Sequence, residues 1–235
     1  MSNHDQATIV NMFDDIAGTY DRVNRILSLG LDKGWRSKMA NFLLGSPAIS
    51  ILDVATGTAD VLIAIHERHV AFEHAVGVDA SANMLDLAQQ KITQRGLAEK
   101  IRLIQAQAGE LPFADHSFDV VTIAFGIRNV VAEKKALGEI MRVLKPQGRL
   151  VVLEFSMPRN PLVRRMYQLY FRHILPFIGG ILSRNQAAYR YLNRSVEQFP
   201  SPDEYRSRLL ALGFSVVEMS PLSFGVATIF CARKG

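Results

Sequence analysis

Cysteine is almost absent from the chain, because Cys231 is the only one among its 235 residues. An internal disulfide is therefore excluded, as is usual for proteins of reducing compartments. The sequence also lacks the run of about 20 apolar residues that a membrane-spanning helix needs. Its first residues, MSNHDQATIVNMFDD, contain neither a basic segment nor a long apolar one, so no signal peptide is predicted. Together these absences favour a cytoplasmic location.

Acidic residues are missing between Arg159 and Arg194, a stretch that contains seven arginines. The whole chain has a net charge of +5. Such a basic surface can attract nucleic acid, anionic lipid or an acidic substrate, or it can simply be solvated. No recognition helix, zinc finger or RNA-binding motif is present, so nucleic acid is not expected as a partner.

The sequence also lacks a clear pattern of metal ligands. His66 and His69 have a spacing that could bind zinc on a helix, but the sequence gives them no cysteine or carboxylate at a matching spacing. They are more simply interpreted as surface histidines, and no metal site is predicted.

The periodicity of apolar residues predicts an α/β fold. Residues 7–29 have helical spacing, and Gly18 and Gly30 are predicted to divide them into two helices, with a further short helix near Trp35. Strands then alternate with helices from ISILDVA to LVVLEFS, which indicates a parallel sheet covered on both faces. A helix from Val131 to Leu144 should end at KPQGR. The segments FSVVEMS and GVATIFCAR, joined by PLSF, are predicted to form an antiparallel hairpin.

Residues 157–200 interrupt this alternation, since they are rich in aromatic residues, arginine and proline. We expect one domain over residues 1–235, with N-terminal helices in residues 1–45 and a helical cap in residues 157–200 that covers a substrate. The cap segment LVRRMYQLYFRHILPFIGGIL combines apolar bulk with arginine. It could contact a bilayer as an interfacial element, or pack on its own core or on the partner of a homodimer.

A ligand site is predicted at the turn after ISILDVA, because ligands of open parallel sheets bind at the carboxyl ends of the strands. Gly57 allows close approach to the backbone. Asp53 and Asp60 make the turn acidic, which suits a cationic ligand better than a pyrophosphate. Asp79, at the end of the next strand, is placed to bind ribose hydroxyls. S-adenosylmethionine (SAM) has both a positive centre and a ribose, although Asp53 and Asp79 could instead be helix caps.

Several motifs carry a family resemblance. VATGTAD, GVDASANMLDLA, ELPFADHSFDVVTIAFGIRNV and EIMRVLKPQGRLVVLEFSMP resemble the successive motifs of class I SAM-dependent methyltransferases. FDDIAGTYDRVNRILSLGLDKGWR, FGIRNV and YRYLNRSVEQFP resemble, more narrowly, the UbiE/MenG family of quinone C-methyltransferases. The resemblance implies a Rossmann-like fold with a seven-stranded, mostly parallel sheet. It also implies methyl transfer from SAM to a ring carbon of demethylmenaquinol, with a prenylated quinol as substrate.

The resemblance further implies which residues surround SAM. Asp53, Gly57 and Thr58 would line the methionine end, and Asp79 would bind the ribose. Met84 would flank the adenine, and Gln107 and Ala108 would lie beside it. Ala124 would lie at the end of the fourth strand. The sequence departs from the family pattern twice, because Ala59 replaces a glycine and Gln107 replaces Asp or Asn. A positive φ at Ala59 would cost roughly 1 kcal/mol or more.

Ring-carbon methylation needs a hydroquinone that loses a hydroxyl proton, and such a hydroxyl has a pKa of about 10. The resemblance points to Arg128, Asn129 and Tyr20. Arg128 is a poor proton acceptor because guanidinium stays charged, so we expect it to stabilise the quinolate oxygen. Asn129 and Tyr20 could position a water. Alternatively, Arg128 forms a salt bridge with Glu154 and Tyr20 is a core aromatic.

The sequence is also compatible with other functions. The acceptor could be a ubiquinol precursor or another hydrophobic small molecule. Alternatively, the chain could bind SAM or a quinone without turnover because of Ala59 and Gln107. A nicotinamide oxidoreductase fits poorly, since the turn lacks the G-x-G-x-x-G pattern.

Overall fold

The computed structural model describes residues 5–45, 48–170, 172 and 186–235. Its centre is a seven-stranded sheet in the order β3-β2-β1-β4-β5-β7-β6. The strands are β1 (Ile49–Val54), β2 (Phe72–Asp79), β3 (Ile101–Gln105), β4 (Phe118–Ala124), β5 (Leu144–Phe155), β6 (Phe214–Leu222) and β7 (Ala227–Lys234). All pairs formed among the first five strands are parallel, whereas β7 runs antiparallel to both β5 and β6. The predicted fold class is therefore confirmed.

The helices lie on both faces of this sheet. They are α1 (Gln6–Leu27), α2 (Leu31–Asn41), α3 (Asp60–Glu67), α4 (Ala82–Gln94), α5 (Glu133–Val143), α6 (Pro161–Leu169), α7 (Gln186–Gln198) and α8 (Pro202–Ala211). All six residues of β1 are buried, as a central strand covered on both faces requires. Ile51 packs in one core with residues of α2, α3 and α4, and Leu52 in the opposite core with residues of α5 and α8.

Two predicted boundaries are corrected. α1 continues through Gly18, because a single glycine costs a helix only about 1 kcal/mol and the buried face of α1 extends from Ile9 to Leu27. The predicted break at Gly30 is confirmed, with a φ of +77° that suits glycine. α5 ends at Val143, as the stop signals in KPQGR predict, but β5 begins at Leu144 and not at the predicted LVVLEFS. KPQGR therefore forms the irregular start of that strand.

The predicted cap contributes α6 and α7, while its residues 171 and 173–185 lie outside the described residues. Tyr167 of α6 and Val196 of α7 share a small hydrophobic core with Ile16 and Val23 of α1. The Tyr170 hydroxyl, next to α6, donates to the Leu27 carbonyl at 2.6 Å. The described part of the cap thus packs against the N-terminal helix.

Candidate active site

The turn between β1 and α3 has an unusual backbone. Ala55, Gly57 and Ala59 have φ values of 53°, 54° and 64°, in the left-handed region. The Gly57 N–H donates to Oδ2 of Asp79 at 2.8 Å, which ties the turn to the end of β2. A Cβ on Gly57 would meet no protein atom within 4 Å. The backbone at Gly57 is therefore open to a ligand. Ala59, unlike glycine, is strained by this positive φ, which is the costly case considered in the sequence analysis.

A cavity of about 290 Å³ lies against this turn, and we call it the glycine-turn cavity. Asp79 accepts hydrogen bonds from the Gly57 and Ser81 amides there, and burial raises its pKa. Met84 is buried at the cavity wall, and the side chain of Gln107 is exposed. The predicted cofactor residues that line this cavity are Gly57, Asp79, Met84, Gln107, Ala108 and Ala124.

Asp53 and Thr58 are placed differently from the other predicted cofactor residues, since neither lines the glycine-turn cavity. The carboxylate of Asp53 accepts hydrogen bonds from the hydroxyls of Thr56 and Thr122, each at 2.6 Å. Burial raises the pKa of Asp53 to about 7. The hydroxyl of Thr58 donates to Asp21 on α1 at 2.7 Å and accepts from Lys91 on α4 at 2.9 Å. Both side chains therefore stabilise the turn through hydrogen bonds to neighbouring protein groups and do not face the glycine-turn cavity.

A partly buried ionic cluster holds α1 beside the turn. Lys91 donates to Asp21 of α1 at 2.9 Å and also to Asp60 at the start of α3. Asp32 of α2 accepts from Arg25 at 2.9 Å and from Arg36 at 2.6 Å. Since α1 also lines the glycine-turn cavity, this cluster positions the wall that a ligand would contact.

A second cavity, of about 210 Å³, lies between α1, α2 and the cap, and we call it the cap cavity. Its walls are mainly aliphatic and aromatic, including Trp35, Phe155 and Tyr167. Among the described residues that line it, the cations are Arg36 and Arg128. The two cavities have four lining residues in common, namely Phe13, Tyr20, Phe125 and Asn129. An apolar ligand in the cap cavity would therefore meet a ligand of the glycine-turn cavity across this shared wall.

Arg128 lies at the cap cavity on a short 3-10 turn, residues Ile127–Asn129, that follows β4. Its Nη1 donates to Oε1 of Glu154 at 2.7 Å and to the Phe125 carbonyl at 2.5 Å. The predicted salt bridge with Glu154 is thus present. Within the described residues, Nε of Arg128 and Oδ1 of Asn129 are buried without a hydrogen-bond partner. Buried polar atoms normally have partners, so these two atoms are available to a ligand.

Tyr20 of α1 belongs to the shared wall. Burial raises the pKa of its phenol, whereas the positive charges of Arg36 and Arg128 and a hydrogen bond with Asn24 lower it. The Tyr20 hydroxyl therefore stays protonated at neutral pH and can act as a donor. It is more than a core aromatic, because it lines both cavities.

Comparison with known proteins identifies the family. The model of the ubiE/COQ5 methyltransferase family matches residues 1–234. The chain belongs to this family. It is 47% identical to a demethylmenaquinone methyltransferase of Thermus thermophilus, over 93% of this chain and 97% of that one. It is 44% identical to the ubiquinone/menaquinone biosynthesis C-methyltransferase UbiE of Geotalea daltonii, over 96% of each.

The fold is also that of solved methyltransferases. A SAM-dependent methyltransferase from Thermotoga maritima superposes with a TM-score of 0.65, covering 97% of this chain and 100% of that one at 19% identity. The family membership confirms the expected methyltransferase class, with SAM as methyl donor. The glycine-turn cavity fits this molecule, because Gly57 leaves room at the backbone and the Asp79 carboxylate faces the same space.

Sequence reasoning missed part of the site. Phe125 separates the cavities with a φ of 55°, and Gly126 beside it has no room for a side chain, since a Cβ would lie 2.7 Å from Cβ of Ala55. The Phe-Gly pair directly after a buried strand could have indicated this close approach. Arg36 was missed as well, and its position depends on contacts between α2 and α3 that no local pattern encodes. Within the described ranges, no group of three or more His, Cys, Asp or Glu residues could hold a metal ion.

Proposed function

We propose that this protein transfers a methyl group from SAM to a ring carbon of a prenylated demethylmenaquinol. The observation that carries the proposal is the shared wall between a cavity suited to a nucleoside and an apolar cavity that contains a buried arginine. The Thermus thermophilus relative, named a demethylmenaquinone methyltransferase, supports this choice of acceptor. SAM supplies an electrophilic methyl group, and the protein has to supply an activated ring carbon beside it.

We assign the cofactor contacts to the residues of the glycine-turn cavity. Asp79 accepts hydrogen bonds from the ribose, while Met84 flanks the adenine. Gly57 lets the cofactor approach the backbone. Asp53 and Thr58 act indirectly, by holding the turn through Thr56, Thr122 and Asp21. The remaining predicted contacts are Gln107, Ala108 and Ala124.

The charge of Arg128 provides the activation of the quinol. A phenolic hydroxyl with a pKa of about 10 is mostly protonated at neutral pH. A guanidinium that is already held by Glu154 and the Phe125 carbonyl favours the quinolate, since it needs no reorganisation when negative charge develops. Asn129 and Tyr20 orient the ring oxygen from the shared wall. Because guanidinium keeps its protons, the proton itself has to leave by another group.

The first experiment follows labelled methyl from SAM to reduced demethylmenaquinone, in the wild type and in Arg128→Ala. We expect the wild type to methylate this acceptor and the variant to lose roughly 10²- to 10³-fold in kcat with SAM binding intact. Arg128→Lys keeps the charge but loses the planar geometry, and should retain part of the rate. Arg159→Ala, which removes an exposed arginine paired with Asp203, is the control.

Two results would overturn these assignments. Unchanged turnover in Arg128→Ala would remove the arginine from the reaction. SAM binding without methylation of demethylmenaquinol by the wild type would redirect the search to ubiquinol precursors and other hydrophobic acceptors, which can be compared by substrate competition. If none of these were methylated, a SAM-binding protein without turnover would remain.

We also propose that the cap covers the substrate and contacts the membrane in which a prenylated quinol resides. α6 exposes Leu162, Met166 and Leu169 to solvent, at 69%, 65% and 53%. Leu29 and Leu31, which line the cap cavity, are exposed at its edge. Arginines between these apolar residues suit an interfacial helix on anionic lipid. Among the helices of the described ranges, none is long and apolar enough to cross a bilayer.

Flotation with liposomes tests the membrane proposal. We expect the protein to bind anionic vesicles at low salt and to be released by high salt, because the arginines contribute through screened charge. Met166→Asp should weaken binding, whereas Leu210→Asp, at an exposed apolar position on α8, should not. Equal binding by both variants, or no binding by the wild type at low salt, would contradict the proposal.

A further inference from the structure

A third cavity, of about 320 Å³, adjoins the other two, and we call it the polar cavity. Asn129 lines all three cavities, and Arg128 and Tyr191 line both the polar cavity and the cap cavity. The polar cavity therefore begins where the proposed chemistry takes place.

The residues that line the polar cavity are buried at one end and exposed to solvent at the other. Asn129 is 8% exposed and the side chain of Arg128 is 6% exposed, so this end is enclosed. Arg194 and Gln198 of α7 and Arg208 of α8 are exposed to solvent. The cavity thus connects an enclosed end at Asn129 with an open end between α7 and α8.

Glu133, the first residue of α5, lies in the wall of the polar cavity. Its Oε2 accepts a hydrogen bond from Arg208 at 3.3 Å. Its Oε1 is buried and has no hydrogen-bond partner among the described residues. Among the described residues, the charged and titratable groups around it are Arg208 and Tyr205 on α8, Arg194 and Tyr191 on α7, and Arg128 on the 3-10 turn. Burial raises the pKa of Glu133, and Arg208 lowers it.

The stoichiometry of the reaction requires an exit for a proton. Methyl transfer replaces one ring hydrogen with a methyl group and turns a sulfonium cation into a neutral thioether. One proton is therefore released for each methyl group transferred. Arg128 cannot accept it, and the cap cavity is largely apolar. A carboxylate beside a polar passage to solvent can.

We propose that the polar cavity is the proton exit of the active site and that Glu133 accepts the proton. The inference rests on the proposed function. The quinol O–H bond breaks, its electron pair stays on the quinol oxygen, and the proton passes through water in the polar cavity to Oε1 of Glu133. Glu133 then releases it to solvent at the open end. Rearomatisation returns one proton to the oxygen as the ring C–H bond breaks, so the net loss is one proton.

The test compares methyl transfer by the wild type, Glu133→Gln and Glu133→Asp between about pH 6 and pH 9. We expect Glu133→Gln to lower kcat roughly hundredfold, with KM and SAM affinity unchanged, and the defect to shrink as pH rises. Formate, a small carboxylate, should restore part of the rate in Glu133→Gln only. Glu133→Asp should retain part of it. Glu67→Gln, at an exposed position at the end of α3, is the control.

Arg208→Gln separates a proton-transfer role from a structural one. It removes the same ion pair but keeps the carboxylate, so we expect the acidic limb of the pH profile to move to higher pH. A Glu133→Gln defect that is independent of pH and not rescued by formate would overturn the proposal, as would full activity in that variant. Failure of the wild type to methylate any quinol would instead overturn the proposed function.

Discussion

Replacing Ala59 with glycine tests whether the turn that holds the cofactor is strained. Ala59 has a φ of 64°, where a side chain costs roughly 1–2 kcal/mol relative to glycine. Glycine would relieve this strain, but two effects oppose the gain in stability. Ala59 is 0% exposed, so its methyl group contributes about 0.8 kcal/mol through burial. Glycine also gains freedom in the unfolded chain, worth about 0.4–1 kcal/mol. We therefore expect Ala59→Gly to change the free energy of unfolding by less than about 1 kcal/mol.

Ala136→Gly is the matched control, because Ala136 is also 0% exposed but lies within α5. It loses the buried methyl group and about 1 kcal/mol of helix propensity, without relief of strain, so it should cost about 2 kcal/mol. Urea unfolding of the wild type and both variants measures the difference. Equal destabilisation by the two substitutions would refute the argument from backbone strain. SAM binding to Ala59→Gly, measured by calorimetry, would then show whether the extra methyl group also weakens the cofactor site.

Three further predictions concern the cofactor side of the molecule. Gly57→Ala should weaken SAM binding at least about tenfold, because its Cβ would enter the glycine-turn cavity at a positive φ. The control Gly18→Ala, within a helix, should leave SAM affinity unchanged and add up to about 1 kcal/mol to the free energy of unfolding. The pKa of Asp53 is raised from 3.8 to about 7, so its contribution to stability is fully present below pH 3.8 and is lost as pH rises through 7. Asp53→Asn should remove this slope from urea midpoints measured across that range, and a slope that persists would assign it to another group. Lys91→Met leaves Asp21 and Asp60 without their shared partner. Because these groups are partly exposed and Asp60 keeps Arg25 and Arg36 nearby, it should cost about 1–2 kcal/mol in unfolding free energy, against little change for the exposed Lys100→Met.

The strand and helix order could be predicted from the sequence because each signal is local. The apolar run before Asp53 and the hairpin around PLSF are short patterns, and both elements form where they were expected. Asp79 could be placed beside Gly57 for a similar reason, since carboxyl ends of neighbouring parallel strands meet at one edge of the sheet. The family motifs added the acceptor class, which no periodicity indicates.

The direction of individual side chains could not be predicted in the same way. Asp53 was expected at the cofactor, but its carboxylate is bound by Thr122, a residue 69 positions away. Thr58 likewise contacts Asp21, 37 positions away. These partners are set by strand register and by the docking of α1, which depend on the whole fold. The polar cavity was missed for the same reason, because its walls come from the 3-10 turn, α5, α7 and α8.

The position of α1 links the two ligands that the reaction needs. Phe13 and Tyr20 of α1 line both the glycine-turn cavity and the cap cavity. The same helix is fastened to the cofactor side by Asp14, which accepts from Ser81 at 2.5 Å, and by Asp21. It is fastened to the cap through Tyr170, which donates to the Leu27 carbonyl. A shift of α1 would therefore alter both cavities at once. Because reacting atoms have to lie within about 3–3.5 Å of each other, a single helix that forms both walls is an effective way to keep the quinol carbon aligned with the methyl group.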